Sequence, residues 1–234
     1  MKKFDVHYKD SVGSTMDLAR DYIQNHDSCD YIVLQGGEQT GGRGRRGNQW
    51  LSPYGNLYQS IVLKPHTNRQ YWGQLSFVMA VALAQACFEI GIGKNHVQLK
   101  WPNDVLIGGQ KLAGILIEVD NKHVVIGTGV NIEHCPDNRS KIHDFSTISI
   151  NDFRDVFLTK IAQCYAQWEK DGFAPIRDQW IGHAYKLKEP ILARINNAEY
   201  EGVFEGVDED GTLLLRQKDG LMRKINAGEI IACS

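Results

Sequence analysis

The sequence predicts an α+β fold: a mixed sheet with flanking helices, followed by a small β-barrel. Three observations carry this. Apolar strands follow one another as hairpins instead of alternating strictly with helices, which favours a mixed sheet over a parallel one. The most apolar stretch, residues 75–90, carries Gln85 and Glu89 and is shorter than the ~20 residues of a membrane span, so it reads as a buried core helix. From about Lys186 the chain breaks into four or five short strands spaced about ten residues apart, the pattern of a small barrel. At about 150 residues per domain, 234 residues divide into a large domain over 1–185 and a small one over 186–234.

The elements follow in order. Ser14 or Thr15 caps a short helix in which Leu18, Ala19, Tyr22 and Ile23 repeat on one face. Residues 31–34 form a compact strand, 36–55 a glycine- and arginine-rich loop, and 57–63 the next strand. The core helix spans about 74–90, and 97–101 is strand-like up to Pro102. Strands at 105–107 and 111–119 flank Gly108-Gly109, a two-residue hairpin turn. Asp120-Asn121 turns the chain into a strand over 123–130. Residues 133–150 are polar and loop-like. Asn151 or Asp152 caps a helix to about Lys170, and a further helix covers 175–185. In the tail, Asn196-Asn197, residues 208–211 and Asp219-Gly220 mark turns.

The composition, 42% hydrophobic and 23% charged, excludes collagen-like, disordered and disulfide-dense classes. Twenty-six basic residues against 28 acidic ones, net −2, give no whole-protein attraction for nucleic acid or other polyanions. Cysteines stand at 29, 87, 135, 164 and 233 with no C-x-x-C spacing, so neither a disulfide framework nor a zinc ribbon fits. Reduced thiols in a cytoplasmic protein are the expectation. The start, MKKFDVHYKD, has no apolar leader core, and no membrane partner is expected.

No Asp or Glu occurs from Gln39 through Phe88, a stretch that holds Arg43, Arg45, Arg46, Lys64 and Arg69. Its centre is Gly42-Arg43-Gly44-Arg45-Arg46-Gly47. Glycines let backbone N–H groups approach a ligand, and guanidinium forks suit carboxylate or phosphate. The string matches G-x-G-x-x-G, but Pro53 and Gly55 follow where a helix is needed, and no acid lies near position 67, so a dinucleotide fold is rejected. No P-loop occurs. The loop is either a solvated basic segment or an anion-binding one. Arginines this close repel one another without a counter-anion, which favours the second. Trp50, Tyr54 and Tyr58 read equally as base-stacking or as core aromatics.

Lys100-Trp101-Pro102-Asn103-Asp104 ends one strand and begins another, where side chains stand on a rigid base. Lys100 offers charge to phosphate, and Asn103 or Asp104 a polar group for orientation or for Mg2+; the alternative is a polar turn with a local Lys–Asp pair. Lys111 opens an apolar strand and either snorkels at its edge or faces a ligand. Gly114 and Gly127-Thr128-Gly129-Val130-Asn131 put glycines inside strands, a sign of close backbone approach. Cations, glycines and little acid–base machinery together suit phosphoryl-transfer chemistry driven by positioned charge.

These segments resemble the biotin protein ligases, in the family's order: Val12-Gly13-Ser14-Thr15; Gln39-Thr40-Gly41-Gly42-Arg43-Gly44-Arg45-Arg46-Gly47 with Trp50-Leu51-Ser52-Pro53; Lys100-Trp101-Pro102-Asn103-Asp104; Lys111-Leu112-Ala113-Gly114; and Gly127-Thr128-Gly129-Val130-Asn131. The resemblance implies a core akin to class II aminoacyl-tRNA synthetases and an SH3-like C-terminal domain. It implies that biotin and ATP form biotinyl-5′-AMP and pyrophosphate, with Mg2+ carried by ATP, and that a lysine of a biotin carboxyl carrier domain then takes the biotin. Ser14, Thr15, Gln39, Arg43, Gly44, Arg45, Lys111 and Gly114 are then expected at biotin. Arg46, Trp50, Lys100, Asn103 and Asn131 are expected at ATP or the adenylate, with Lys111 and Arg45 catalytic. Met16 stands where relatives often have Asn, and that contact is not carried over.

Larger relatives add an N-terminal DNA-binding domain, for which the dozen residues before Gly13 are too few, so no DNA partner is expected; a homodimer is left open. Three rivals remain. Lipoate or octanoate transfer on the related fold usually lacks the combination of arginine loop and Lys-Trp-Pro-Asn-Asp. A nucleic-acid module conflicts with the balanced charge. A biotin sensor without turnover conflicts with the intact Lys111.

Overall fold

A computed structural model describes residues 3–26, 29–120, 122–195 and 198–232. The chain opens with strand β1 (Asp5–Val12), helix α1 (Thr15–Asn25) and strand β2 (Ile32–Gln39). Then come β3 (Leu57–Leu63), α2 (Leu75–Glu89) and the run β4 (Val97–Lys100), β5 (Asp104–Ile107), β6 (Gln110–Asp120) and β7 (His123–Val130). Helices α3 (Ile150–Asp171) and α4 (Ala174–Ile181) follow. The first seven strands form one sheet in the order β1-β2-β3-β7-β6-β5-β4. Only the β1–β2 pair is parallel; the remaining neighbours are antiparallel. The sheet is therefore mixed, as expected.

Its two faces are covered unequally. On one side α1 packs Met16 and Ala19 against Leu34, Val62 and Val125. On the other, α2 and α3 bury a larger core that includes Leu57, Ile61, Leu63, Val124 and Ile126. Alternation of side chains along β3 explains how one strand serves both layers, and why all seven of its residues are buried. Helix α2 together with the turn before it is long and apolar enough to cross a membrane, but it is 72% buried inside the fold, as a core helix is.

Five further strands make a second, antiparallel sheet: β8 (Pro190–Ile195), β9 (Ala198–Val207), β10 (Leu213–Arg216), β11 (Met222–Ile225) and β12 (Glu229–Ala232), in the order β11-β10-β9-β8-β12. It is consistent with an SH3-like unit. It docks on the helical layer, where the Phe204 ring of β9 meets the Trp180 ring of α4 edge-on at 6.4 Å, and on the β4–β5 turn, where Trp101 Nε1 donates to the Gly211 carbonyl at 3.0 Å.

Several elements differ from expectation. Strand β1 was not anticipated, and β2 runs five residues further than the 31–34 segment, taking Gly36 through Gln39 out of the loop. Helix α3 is capped by Ser149, whose hydroxyl accepts from the Asp152 N–H at 3.1 Å, not by Asn151 or Asp152. Helix α4 ends at Ile181, short of residue 185, because His183 and Tyr185 turn to bond Leu99 of β4. The Gly108-Gly109 hairpin is present, with φ of 58° and 79°. Cys233, Asn121 and the Asn196-Asn197 turn lie outside the described residues.

Candidate active site

Beneath the arginine–glycine loop lies a cavity of about 480 Å³. Its walls come from the start of α1, the β4–β5 turn, β6, β7 and the loop before β12. Helix α1 begins there because Ser14 caps it, accepting from the Met16 N–H at 3.3 Å. A chain of polar contacts holds that corner. Ser60 donates to the Thr15 hydroxyl at 2.8 Å. Gln39 Oε1 accepts from the Thr15 N–H and hydroxyl at 2.9 and 3.1 Å. The Gln39 amide donates to Ser52 Oγ at 2.9 Å, and Ser52 in turn donates to the Trp50 carbonyl. Thr15, Gln39 and Ser60 stand far apart in sequence, yet pairing of β1, β2 and β3 places them side by side.

The floor is backbone. Gly114 on β6 and Gly129 on β7 are cross-strand partners, and Gly127 lies two residues before Gly129. A Cβ at Gly129 would sit 2.6 Å from Trp50 Nε1, and one at Gly127 2.7 Å from the Met16 sulfur. The Trp50 indole therefore lies flat on the glycines, its N–H without an acceptor among the described residues. Met16 gives the α1 end of the cavity an apolar wall.

Cations line the rest. Lys111 Nζ meets Asp104 Oδ1 at 2.5 Å and lies 5.3 Å from the centre of the Trp50 ring. Burial depresses the Lys100 ammonium below the usual lysine value; Asp104 partly offsets this and Lys111 deepens it. Burial and the neighbouring Arg46 likewise lower the Arg45 guanidinium. Arg45 Nη1 donates to Asn103 Oδ1 at 3.2 Å and to the Gly228 carbonyl at 3.3 Å. It thereby ties the loop to the β4–β5 turn and to the small sheet. The loop itself is a tight turn over Arg45–Gly47 with Arg46 at φ 57°, where no helix follows.

Ser14, Thr15, Gln39, Arg43, Gly44, Arg45, Arg46, Trp50, Lys100, Asn103, Lys111 and Gly114 all line this cavity. Asn131 does not. It is 5% exposed, and its amide donates to the Ser140 carbonyl at 3.0 Å, so it shapes the β7 exit beside Lys111. Arg43 departs in a second way, since its guanidinium is bound to Asp17. The counter-anions that the loop lacks in sequence thus come partly from the protein. Tyr58 is a core residue, and Tyr54 is exposed and donates to Asp10 at 3.0 Å; of the three aromatics only Trp50 joins the site. Asp104, one of two polar candidates in its turn, lines the cavity as well. Arg139 and Glu229 complete the lining and carry no sequence motif.

Residues 8–131 match the model of the biotin/lipoate A/B protein ligase family, and 187–232 that of the biotin protein ligase C terminal domain. A biotin–[acetyl-CoA-carboxylase] ligase of Paracoccus denitrificans is 38% identical over 200 residues, 78% of this chain and 83% of that protein. The bifunctional ligase/repressor BirA of Escherichia coli is 32% identical over 94% of this chain and 71% of its own length. Among solved structures, the Aquifex aeolicus biotin protein ligase in complex with biotin and ATP superposes with a TM-score of 0.84 at 24% identity, covering 97% of both chains. At that identity the likeness speaks to fold. The sequence match over most of both chains says more, and the chain belongs to the biotin/lipoate A/B protein ligase family.

Proposed function

We propose that this chain is an ATP-dependent biotin protein ligase. A biotin carboxylate oxygen attacks the α-phosphorus of ATP, the bond to the β-phosphate oxygen breaks, and pyrophosphate leaves. A lysine amine of a biotin carboxyl carrier domain then attacks the acyl carbon of biotinyl-5′-AMP. The amide forms, AMP departs, and the amine proton is lost to solvent. The observation that carries this reading is the convergence of Lys100, Lys111 and Arg45 on one glycine-floored cavity, since fixed cations stabilise the charge that shifts at an acyl-phosphate.

In this reading Ser14, Thr15, Gln39, Gly114 and Met16 enclose the biotin end. Lys111 holds the carboxylate. Arg45, Arg46, Lys100 and Asn103 face the phosphates, and Trp50 moves from the glycines to cover the adenine. Asp104 and Glu229 are the carboxylates lining the cavity. They fit a Mg2+ ion arriving on ATP, because such ions keep water and phosphate ligands and take only one or two carboxylates; when bound, it neutralises charge on the departing pyrophosphate. Residues 1–185 do the chemistry, and 186–234 lend the Gly228–Glu229 edge. The Paracoccus relative's name points to the carrier domain of a biotin-dependent carboxylase as acceptor. DNA has no place in this reading, because Arg43 is bound to Asp17 and Arg45 to Asn103 and the Gly228 carbonyl, which leaves no broad basic face. Cys87, Cys135 and Cys164 carry reduced thiols, which suits a reducing cytoplasm.

Biotin is favoured over lipoate by the match of 187–232 and by the relatives' names. Incubation of a carrier domain with ATP and biotin, lipoate or octanoate, followed by mass spectrometry, tests it. Biotinyl mass is expected, and lipoyl mass without biotinyl mass reverses the choice.

A further inference from the structure

At the edge of the cavity, four charged side chains close into a ring of alternating sign, with Arg43 the one member that also lines the cavity. Arg43 Nη1 and Nη2 donate to the two carboxylate oxygens of Asp17 at 2.9 and 2.7 Å. Asp17 also accepts from Arg20 at 3.1 Å. Arg20 donates to Glu118, and Glu118 lies 3.7 Å from Arg43 Nε. Isolated surface pairs count for little, but a bidentate arginine within a network is the exception. The Arg43 bond holds the Asp17 carboxyl below its usual range.

The ring joins three elements at their site-bearing parts. Asp17 and Arg20 lie on α1, which begins at Thr15. Glu118 lies on β6, which carries Lys111 and Gly114. Arg43 lies in the loop that carries Arg45. The loop has two guanidinium anchors of different character. Arg45 is half-buried and faces the cavity, where a phosphate competes for it. Arg43 borders the cavity too, but its guanidinium is already bound through both terminal nitrogens to the Asp17 carboxylate. We propose, on the basis of the ligase reading, that Asp17, Arg20 and Glu118 are positioning residues: through Arg43 they latch the arginine–glycine loop over the cavity and retain the acyl-adenylate until the acceptor arrives. Arg43 is thereby a loop anchor whose charge is spent on the protein.

The test compares the full chain with Asp17→Asn, Glu118→Gln and the conservative Asp17→Glu. Two readouts are taken: the half-life of enzyme-held biotinyl-adenylate without acceptor, and the rate of limited tryptic cleavage at Arg43, Arg45 and Arg46 without ligand. Asp17→Asn and Glu118→Gln shorten the half-life and speed cleavage about fivefold each, the worth of a network ion pair. Adenylate formation at saturating substrates stays within about twofold, and Asp17→Glu recovers most of the retention. Raising the salt makes the parent leak while the variants change little, because exposed pairs are screened. Asp17 is in the first turn of α1, so if Asp17→Asn lowers the melting temperature, Glu118→Gln decides. Parent-like retention and cleavage in a variant of unchanged melting temperature overturn the latch alone. A parent that forms no adenylate overturns the ligase reading, and the retention role with it.

Discussion

The Lys111 ammonium is held between the Asp104 carboxylate, 2.5 Å away, and the face of Trp50, 5.3 Å from its ring centre. A cation so placed is oriented before any ligand arrives. Asp104 stands opposite Gly114 and Lys111 opposite Leu106 in the β5–β6 ladder, so the lysine side chain reaches its carboxylate by passing over Gly114, where a Cβ would lie 3.4 Å from Nζ.

Replacing Lys111 with Ala removes that charge where it is needed most, as charge shifts at the acyl-phosphate. The rate of adenylate formation falls about 10²–10³-fold, the scale for losing one positioned donor, while the Kd for ATP changes by less than about threefold. Single-turnover kinetics beside equilibrium binding measure both. Equal losses in the two count against the role.

Arg45→Ala cuts the loop from Asn103 and from the Gly228 carbonyl at once. Trapped intermediate leaves about tenfold faster, as expected for a charge-assisted hydrogen bond lost. Gel filtration of labelled adenylate follows it. A half-life equal to the parent's rules the assignment out.

Lys100 sets a pH dependence. Its folded pKa lies below the ordinary 10.5, chiefly through burial. While charged it costs folding free energy, so its contribution to stability improves as pH rises from the lowered value to the ordinary one. Phosphate acts in the opposite sense by favouring the charged form. ATP binding within that window takes up protons and weakens as pH rises. Calorimetry in buffers of differing ionisation enthalpy reads the uptake. Lys100→Arg abolishes it, since a guanidinium does not titrate there; uptake persisting in that variant assigns the proton to another group.

The small sheet meets α2 and the β4–β5 turn at Gly211. Its φ is 84°, and a Cβ there would lie 2.6 Å from the Phe77 ring. Gly211→Ala therefore costs about 1–3 kcal/mol through overpacking, with left-handed strain in addition. Trp101→Phe leaves the Gly211 carbonyl without its donor, at about 1–3 kcal/mol. Urea unfolding measures both. A change below about 0.5 kcal/mol in either, the range of an ordinary surface substitution, removes this contact as a determinant of docking.

Much of this was legible from residues alone where a local rule governs. The 57–63 strand, the Gly108-Gly109 turn and the core helix follow from hydrophobic runs and from glycine's conformational range. The arginine loop and Lys-Trp-Pro-Asn-Asp announced themselves because cations and glycines are dense there. What escaped depends on long-range pairing. Strand β1 is mostly polar and exposed over Asp5–Val12, and becomes a strand by parallel pairing with β2. Asp17 and Glu118 look like ordinary surface acids until α1, β6 and the loop come together. Arg139 and Glu229 reach the cavity from segments without a motif, and Asn131 looks like a ligand contact until its amide is seen bonded to Ser140.

The strip formed by Gly114, Gly127 and Gly129 has a consequence for how such a protein diversifies. A methyl group at Gly129 would enter the Trp50 indole and one at Gly127 the Met16 thioether, while one at Gly114 would press on Trp50 and Lys111 at 3.3–3.4 Å. A change in acyl-group preference is therefore reached most readily by exchanging positions 127 and 16 together, since a flexible thioether gives way more easily than an indole.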